Sequence, residues 1–125
     1  GFSREHRSLN VRRIGYVASE ITKSLGIAIC APIAPYEKDR EINRKLISRY
    51  GGYFEVFVNT PLEKCEERDS KGLYKLAREG KLDRFTGISD PFETPKNPDL
   101  IIKTDRMSIK EAGDILEKYI IQSVV

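Results

Sequence analysis

Residues 53–69 read "YFEVFVNTPLEKCEERD" and combine one strand with one helix. The first eight, Tyr53–Thr60, are rich in aromatic and β-branched side chains, which favour an extended strand. Pro61 comes next, and proline is favoured in the first turn of a helix, so residues 61–69 are predicted to form a short helix. A strand followed directly by a helix is the repeating element of α/β proteins, so the same alternation is expected in the rest of the chain.

Toward the N-terminus the alternation continues. Apolar residues recur at helical spacing between Ser8 and Leu25, and Gly26 is a plausible helix end. The run Ile27–Ile33 is short, β-branched and almost entirely apolar, which predicts a strand covered on both faces and ended by Pro35. A charged helix is predicted over residues 37–50.

Toward the C-terminus, residues 71–99 have broken periodicity and many turn residues, which predicts a helix fragment followed by a long ordered loop. Residues 100–105, "LIIKTD", are a third predicted strand. Residues 108–124 predict a closing amphipathic helix with Ser108 as N-cap and Glu111 at the reciprocal position of a capping box. Because strands joined by helical crossovers lie parallel, the sequence predicts an α/β fold with a three-layer parallel sheet.

Composition limits the function classes. The 125 residues fit one domain, residues 1–125, and the net charge of +3 comes from basic and acidic residues that are interleaved. A small net charge with interleaved signs does not favour nucleic acid as a partner, but it fits a small anionic ligand held by a few arginines. No apolar run approaches the 18 or so residues of a membrane span, and no signal-peptide pattern is present, so a cytoplasmic location without membrane contact is expected.

The residues that could hold a metal are few. Cys30 and Cys65 lie in separate apolar segments without a close-spaced partner, so both are expected to be buried, reduced thiols. His6 is the single histidine, and a zinc site built by this chain is therefore not expected.

The 29-residue segment 71–99 is too long to be a simple connection between two elements. It mixes cations with aromatic rings, which suits a ligand that carries both a phosphate and a base. The cations and rings are Lys71, Tyr74, Lys75, Arg78, Lys81, Arg84 and Phe85. The alternative is a solvated charged helix in which Phe85 belongs to the core.

Four stretches, taken together, resemble one known family. They are "GFSREHRSLNVRRIGYVA", "PIAPYEKDRE", "EVFVNTPLEKCEERDSKGLYKLAREG" and "FTGISDPFETPKNPDL", and they occur in family order over nearly the whole chain. The sequence resembles the adenylylsulfate kinases, P-loop kinases that transfer phosphate from ATP to the 3′-hydroxyl of adenosine 5′-phosphosulfate in sulfate assimilation. The resemblance implies that fold, that activity, ATP and Mg²⁺ as cofactors, and a homodimer.

The resemblance also implies roles for individual residues. Phe2 is expected near the substrate adenine, and Arg7 and Asn10 are expected to make polar contacts with adenylylsulfate. The backbone of Ile33 and Ala34 is expected to touch the same substrate. The remaining expected contacts are the substrate-binding Lys71, the lid ring Phe85 that stacks on the adenine, and Arg68 near the ATP site.

Two positions depart from the family pattern. Many members have a serine where this chain has Ala34, and that serine has been proposed as a phosphorylated intermediate. Alanine has no hydroxyl, so transfer here is expected to be direct, which phosphoryl transfer permits because it rests on positioning and charge neutralisation. The family's lysine before "FTG" is replaced by Asp83, so either Arg84, one residue later, takes over its cationic role, or this contact is absent.

The sequence contains no G-x-x-x-x-G-K-[ST] loop, the element that cradles ATP phosphates. In the family this loop precedes the equivalent of Gly1, as does the acidic catalytic segment. The chain therefore resembles the C-terminal part of a kinase domain, with no assigned catalytic residues, and it is expected to be inactive by itself. The alternative function is a non-catalytic, kinase-like regulatory domain that binds 3′-phosphoadenylylsulfate and is fused to an ATP sulfurylase.

Overall fold

The computed structural model describes residues 3–124, which form five α-helices, two strands and one 3₁₀ turn. In chain order these are α1 (Arg4–Lys23), α2 (Glu37–Ile47), β1 (Val56–Asn59), α3 (Leu62–Glu67), α4 (Leu73–Arg78), β2 (Leu100–Lys103), the 3₁₀ turn (Thr104–Arg106) and α5 (Ile109–Val124). Two compact units can be distinguished. The first contains the described residues up to Tyr53 together with Leu76–Lys96, and the second contains Phe54–Lys75 and the described residues from Asn97 onward.

Helix α1 begins at Arg4, four residues before the predicted start, because Ser3 caps it. The Ser3 hydroxyl accepts a hydrogen bond from the backbone N–H of His6 at 3.2 Å. The buried face of α1 consists mainly of small residues, whereas Leu9 and Val17 of the apolar periodicity are exposed. This buried face comprises Val11, Gly15, Ala18 and Ser19.

In the first unit, α1 and α2 pack against each other at the point where Gly15 faces Asn43. The Asn43 side-chain amide donates to the Val11 carbonyl oxygen at 3.1 Å, and Asn43 is itself buried. A β-carbon at Gly15 would lie 2.1 Å from Asn43 Oδ1. The absence of a side chain at Gly15 therefore sets how closely the two helices approach.

Gly15→Ala is expected to lower the free energy of unfolding by about 1–3 kcal/mol, since overpacking a tight contact costs that much. Thermal melting of the variant measures the loss. Gly113→Ala is the matched control, because Gly113 lies in α5 with open space around its α-carbon. There alanine is expected to stabilise by up to about 1 kcal/mol through helix propensity. Equal melting temperatures for the two variants would contradict the close approach of α1 and α2.

The segment Ile27–Ile33 is not a strand, and the prediction of a strand covered on both faces is wrong. Ile27, Ile29 and Ile33 are 64%, 73% and 69% exposed. A strand requires a neighbouring backbone to complete its hydrogen bonds, and within the described part of the chain no strand pairs with this segment. Cys30 lies in the same segment and is exposed, so its expected burial is wrong as well; Cys65 is part-buried, and both thiols are free.

In the second unit β1 and β2 form a parallel pair, which confirms the predicted parallel arrangement. Val56 pairs with Leu100, 44 residues further along the chain, and Ile102 is the buried residue of β2. Both strands are shorter than predicted. The end of the predicted third strand is instead the start of the 3₁₀ turn.

Helix α5 begins as predicted. The backbone N–H of Glu111 donates to the Ser108 hydroxyl at 3.1 Å, and the backbone N–H of Ser108 donates to the Glu111 carboxylate at 3.2 Å. These reciprocal bonds confirm the capping box. Tyr119 of α5 meets the Phe54 ring edge-on, with centroids 5.9 Å apart. Among the helices of residues 3–124, each is too short or too polar to cross a membrane.

Candidate functional site

Arg7, near the start of α1, joins that helix to the segment that contains Phe85. Its guanidinium lies 2.7 Å from the Asp90 carboxylate and donates to the Thr86 hydroxyl at 3.3 Å. The Arg7 side chain is only 12% exposed. Helix α1 thus places this cation within the first unit, where its ion pair is partly shielded from water.

The segment from Arg84 to Asp90 is a tight turn built mainly by its backbone. The Phe85 carbonyl oxygen accepts hydrogen bonds from the N–H groups of Ile88, Ser89 and Asp90, at 3.1, 2.9 and 3.0 Å. The Phe85 N–H donates to the Ser89 hydroxyl at 2.6 Å. These bonds use backbone and serine atoms, and Phe85 itself is part-buried.

A cavity of about 290 Å³ opens beside this turn in the first unit. Arg84 reaches it from a left-handed backbone conformation, with φ of 55°. Arg4 also lines it and stacks its guanidinium over the Tyr36 ring, 4.2 Å from the ring centroid. The lining residues are Arg4, Glu5, Tyr36, Arg84, Asp90 and Pro91. The arginines bring positive charge to this cavity, and the carboxylates of Glu5 and Asp90 bring negative charge, so the lining carries both signs.

Ala34 and Ile33 lie at the end of the exposed apolar segment, directly before the buried Pro35 and Tyr36. Ala34 has a φ of 45°, a left-handed conformation that residues with a β-carbon rarely adopt. Its carbonyl oxygen accepts a hydrogen bond from the guanidinium of Arg40 at 2.6 Å. Arg40 is 7% exposed and reaches back from α2 to make this bond.

The same guanidinium also connects α2 to the chain after the Phe85 turn. Arg40 donates to the carboxylate of Glu37 at 2.6 Å and to the carbonyl oxygen of Glu93 at 2.5 Å. The Glu93 carboxylate accepts from the N–H of Glu37, and the Glu93 N–H donates to the Pro35 carbonyl oxygen, both at 2.8 Å. The start of α2 and the segment around Glu93 are therefore fixed to each other by charge-assisted bonds.

In the second unit, Arg68 and Lys71 belong to the connection between α3 and α4. Arg68 is exposed and donates to the Thr104 carbonyl oxygen at 2.9 Å. Lys71 is exposed in a turn that Asp69 organises. The Asp69 carboxylate accepts from the N–H groups of Tyr74 and Lys75 at 3.1 and 3.0 Å and so caps α4.

Tyr74 has its pKa raised above the ordinary value for tyrosine. Burial is the largest cause, and the neighbouring Cys65 and Asp69 add to it by disfavouring the charged phenolate. Tyr74 therefore remains a neutral hydrogen-bonding group at physiological pH.

The structure places the sequence-predicted residues as follows. Arg7, Asn10, Ile33, Ala34, Arg84 and Phe85 belong to the first unit, and Arg68 and Lys71 belong to the second. Asn10 is exposed on α1, one turn after Arg7. Phe2 lies outside the described residues. Sequence reasoning missed Arg40, Asp69, Asp90 and Glu93, whose roles depend on contacts with distant residues.

Within residues 3–124, histidine, cysteine and carboxylate side chains do not gather in a group of three or more that could hold a metal ion.

The chain matches the family model described as adenylylsulphate kinase over residues 1–103. It is 47% identical over 120 residues to an adenylyl-sulfate kinase of Halothermothrix orenii, covering 96% of this chain and 63% of that protein. It is also 47% identical over 110 residues to a sulfate adenylyltransferase of Neurospora crassa, covering 88% of this chain and 19% of that protein. The chain therefore spans less than two thirds of the length of these relatives.

Solved structures show the same similarity. The APS kinase CysC of Mycobacterium tuberculosis, solved in complex with AMPPNP and APS, matches with a TM-score of 0.84 at 40% identity, over 94% of this chain and 68% of that one. A hexameric APS kinase from Thiobacillus denitrificans matches with a TM-score of 0.64 at 41% identity, over 95% of this chain and 19% of that one. The predicted α/β fold of P-loop kinase type is confirmed by these neighbours. From the family match and these identities, the chain belongs to the adenylylsulfate kinase family.

Proposed function

We propose that the protein carrying this chain is an adenylylsulfate kinase, which transfers phosphate from ATP to the 3′-hydroxyl of adenosine 5′-phosphosulfate during sulfate assimilation. The observation that carries the proposal is the position of Arg7, bound to the Thr86–Asp90 turn that follows Phe85. This contact joins two of the four stretches that resemble the family, although they are about 80 residues apart in the sequence. Arg7 and Phe85, the residues proposed to bind the substrate anion and to stack on its adenine, belong to the same unit.

The residues of the first unit would bind the adenylylsulfate. Arg7 and Asn10 would donate to its polar groups, and Phe85 would stack on the adenine. Arg84 would place its positive charge beside the same cavity, in the role of the family's lysine. The backbone of Ile33 and Ala34 would contact the substrate from the segment before α2.

Two residues of the second unit also have proposed roles. Lys71 would bind adenylylsulfate through its ammonium group, and Arg68 would contribute to the ATP site. Residues 1–125 would act as parts of one kinase domain. We further propose a homodimer in the cytoplasm.

In the proposed reaction the substrate 3′-oxygen forms a bond to the γ-phosphorus of ATP, the bond from that phosphorus to the β–γ bridging oxygen breaks, and ADP leaves. The proton of the 3′-hydroxyl passes to a base or to solvent. Mg²⁺ would accompany ATP and neutralise charge on its phosphates. What this chain supplies in the proposal is substrate binding, orientation and positive charge.

A second function is favoured by the match to a fungal sulfate adenylyltransferase, of which this chain covers only 19%. The chain could belong to a polypeptide fused to ATP sulfurylase, as a non-catalytic domain that binds 3′-phosphoadenylylsulfate as a signal. A regulatory domain would bind that nucleotide and shift the activity of its fused partner without forming ADP.

The experiment is a coupled assay of ADP release by the full-length protein, with adenylylsulfate or AMP as the acceptor. We expect turnover with adenylylsulfate and at least about tenfold lower kcat/KM with AMP, because loss of a charged group that the protein binds costs at least one charge-assisted hydrogen bond. Equal turnover on the two acceptors would contradict the proposal. Tight binding of 3′-phosphoadenylylsulfate without ADP release would favour the regulatory function instead.

A further inference from the structure

We propose that Arg40 is a positioning residue. It holds the backbone of Ala34 in its left-handed conformation and so orients the part of the backbone that is proposed to contact adenylylsulfate. The inference rests on the proposed function in one respect, that the Ile33–Ala34 backbone faces this substrate. The restraint on Ala34 is a separate statement about the chain and can be tested without any activity.

The first step concerns the conformation of Ala34. Its φ of 45° is unfavourable for a residue with a β-carbon. Its successor is Pro35, and a residue before proline is further restricted toward extended conformations. Without an outside restraint, the backbone at Ala34 would therefore tend to leave this conformation.

The second step concerns the restraint. The Arg40 guanidinium holds the Ala34 carbonyl oxygen at 2.6 Å, and it is fixed in turn by the carboxylate of Glu37 at 2.6 Å. Arg40 also lies 5.8 Å from the centroid of the Phe92 ring. A buried cation held by several partners has little freedom to follow a moving carbonyl, so it resists a change at Ala34.

The third step concerns why the restraint requires arginine rather than lysine at position 40. A guanidinium presents several N–H donors in a fixed planar arrangement, so Arg40 can serve Ala34 and Glu37 at the same time. Lysine keeps the charge but donates from one compact ammonium, and it cannot reproduce both bonds in this geometry. Arg40→Lys therefore removes the restraint while leaving a cation beside Glu37.

The test uses the full-length protein with Arg40→Lys, Ala34→Gly and the double variant. We expect Arg40→Lys to raise the KM for adenylylsulfate about fivefold or more, with the KM for ATP changed less than about twofold. Glycine adopts positive φ without penalty, so Ala34→Gly in the Arg40→Lys background is expected to restore most of the affinity. A purely structural role for Arg40 would not be rescued by a substitution at residue 34.

Arg12→Lys is the matched control. Arg12 also pairs with a buried carboxylate of α2, that of Asp39 at 3.2 Å, but within the described residues it does not hydrogen-bond to the Ala34 carbonyl oxygen. It is expected to leave both KM values within about twofold. If Arg40→Lys does not fold, Glu37→Gln keeps Arg40 and weakens its anchor, and a selective rise of about twofold or more in the KM for adenylylsulfate is expected.

Hydrogen–deuterium exchange of the peptide spanning residues 33–40 gives a readout without activity. We expect faster exchange in Arg40→Lys than in the wild type and in Arg12→Lys. Failure of the wild type to phosphorylate adenylylsulfate would refute the proposed function, whereas unchanged exchange in Arg40→Lys would refute the restraint. Equal effects on both KM values, or no rescue by Ala34→Gly, would likewise overturn the positioning role.

Discussion

Replacing Arg7 with alanine is expected to weaken the binding of adenylylsulfate by about tenfold to a hundredfold, since a hydrogen bond to a charged group is worth about 1.5–3 kcal/mol. The Arg7 side chain is largely shielded from water, which strengthens its attraction for an anion. ATP affinity should stay the same, because Arg7 and the turn that it contacts are proposed to bind adenylylsulfate rather than ATP. Calorimetric titration of the full-length variant with each nucleotide measures the two affinities.

Asp90→Asn is the matched control for Arg7→Ala. It breaks the ion pair at 2.7 Å but leaves the guanidinium in place. If Arg7 binds the substrate directly, Asp90→Asn should weaken binding by no more than about threefold, the usual scale for a partly exposed pair. Similar losses in both variants would show that Arg7 acts by holding the turn, and unchanged affinity in Arg7→Ala would refute its assignment as a substrate ligand.

Phe85→Ala is expected to lower kcat/KM for adenylylsulfate tenfold or more while changing the melting temperature little. Stacking of a base on an aromatic ring contributes about 1–3 kcal/mol, and this is lost with the ring. The turn should persist, because its hydrogen bonds come from the Phe85 backbone and the Ser89 hydroxyl. Steady-state kinetics and thermal melting of the same variant give both quantities.

The competing hypothesis is that the Phe85 ring belongs to the core. In that case truncation would cost about 3–5 kcal/mol of stability, with substrate affinity retained. The part-exposed position of Phe85 favours the substrate role. Phe85→Leu serves as a control, since it keeps apolar volume but removes the aromatic face, and it should lose activity without losing stability. The mobility of this segment as a lid stays a prediction.

The sequence was most informative where local signals decide structure. The capping box of Ser108 and Glu111 predicted the start of α5 to the residue, because both partners lie within one helical turn. The strand before Pro61 was also located correctly, although the predicted strand extended a few residues beyond the observed one. Hydrogen bonding to a neighbouring strand sets such ends, and one sequence does not display it.

Where contacts between residues far apart in the sequence decide the structure, the predictions from sequence were wrong or could not be made. The apolar run Ile27–Ile33 looked like a strand, but strand formation depends on a paired backbone that composition does not specify. The buried face of α1 was missed for a similar reason, since Gly15 and Ser19 are small rather than apolar, and Gly15 lies directly against Asn43 of α2. Arg40 gave no signal in the sequence because its role depends on the backbone angle of Ala34.

The parallel pairing of Val56 with Leu100 has a consequence for how this protein can vary. The entropy of closing a flexible connection rises only with the logarithm of its length, by about 0.6 kcal/mol for each doubling. Since the closed loop already spans 44 residues, adding or removing a few would hardly change the cost of aligning the strands. The connection that contains Lys71 and Phe85 can therefore differ by a few residues in length with little change in the entropy of pairing the two strands.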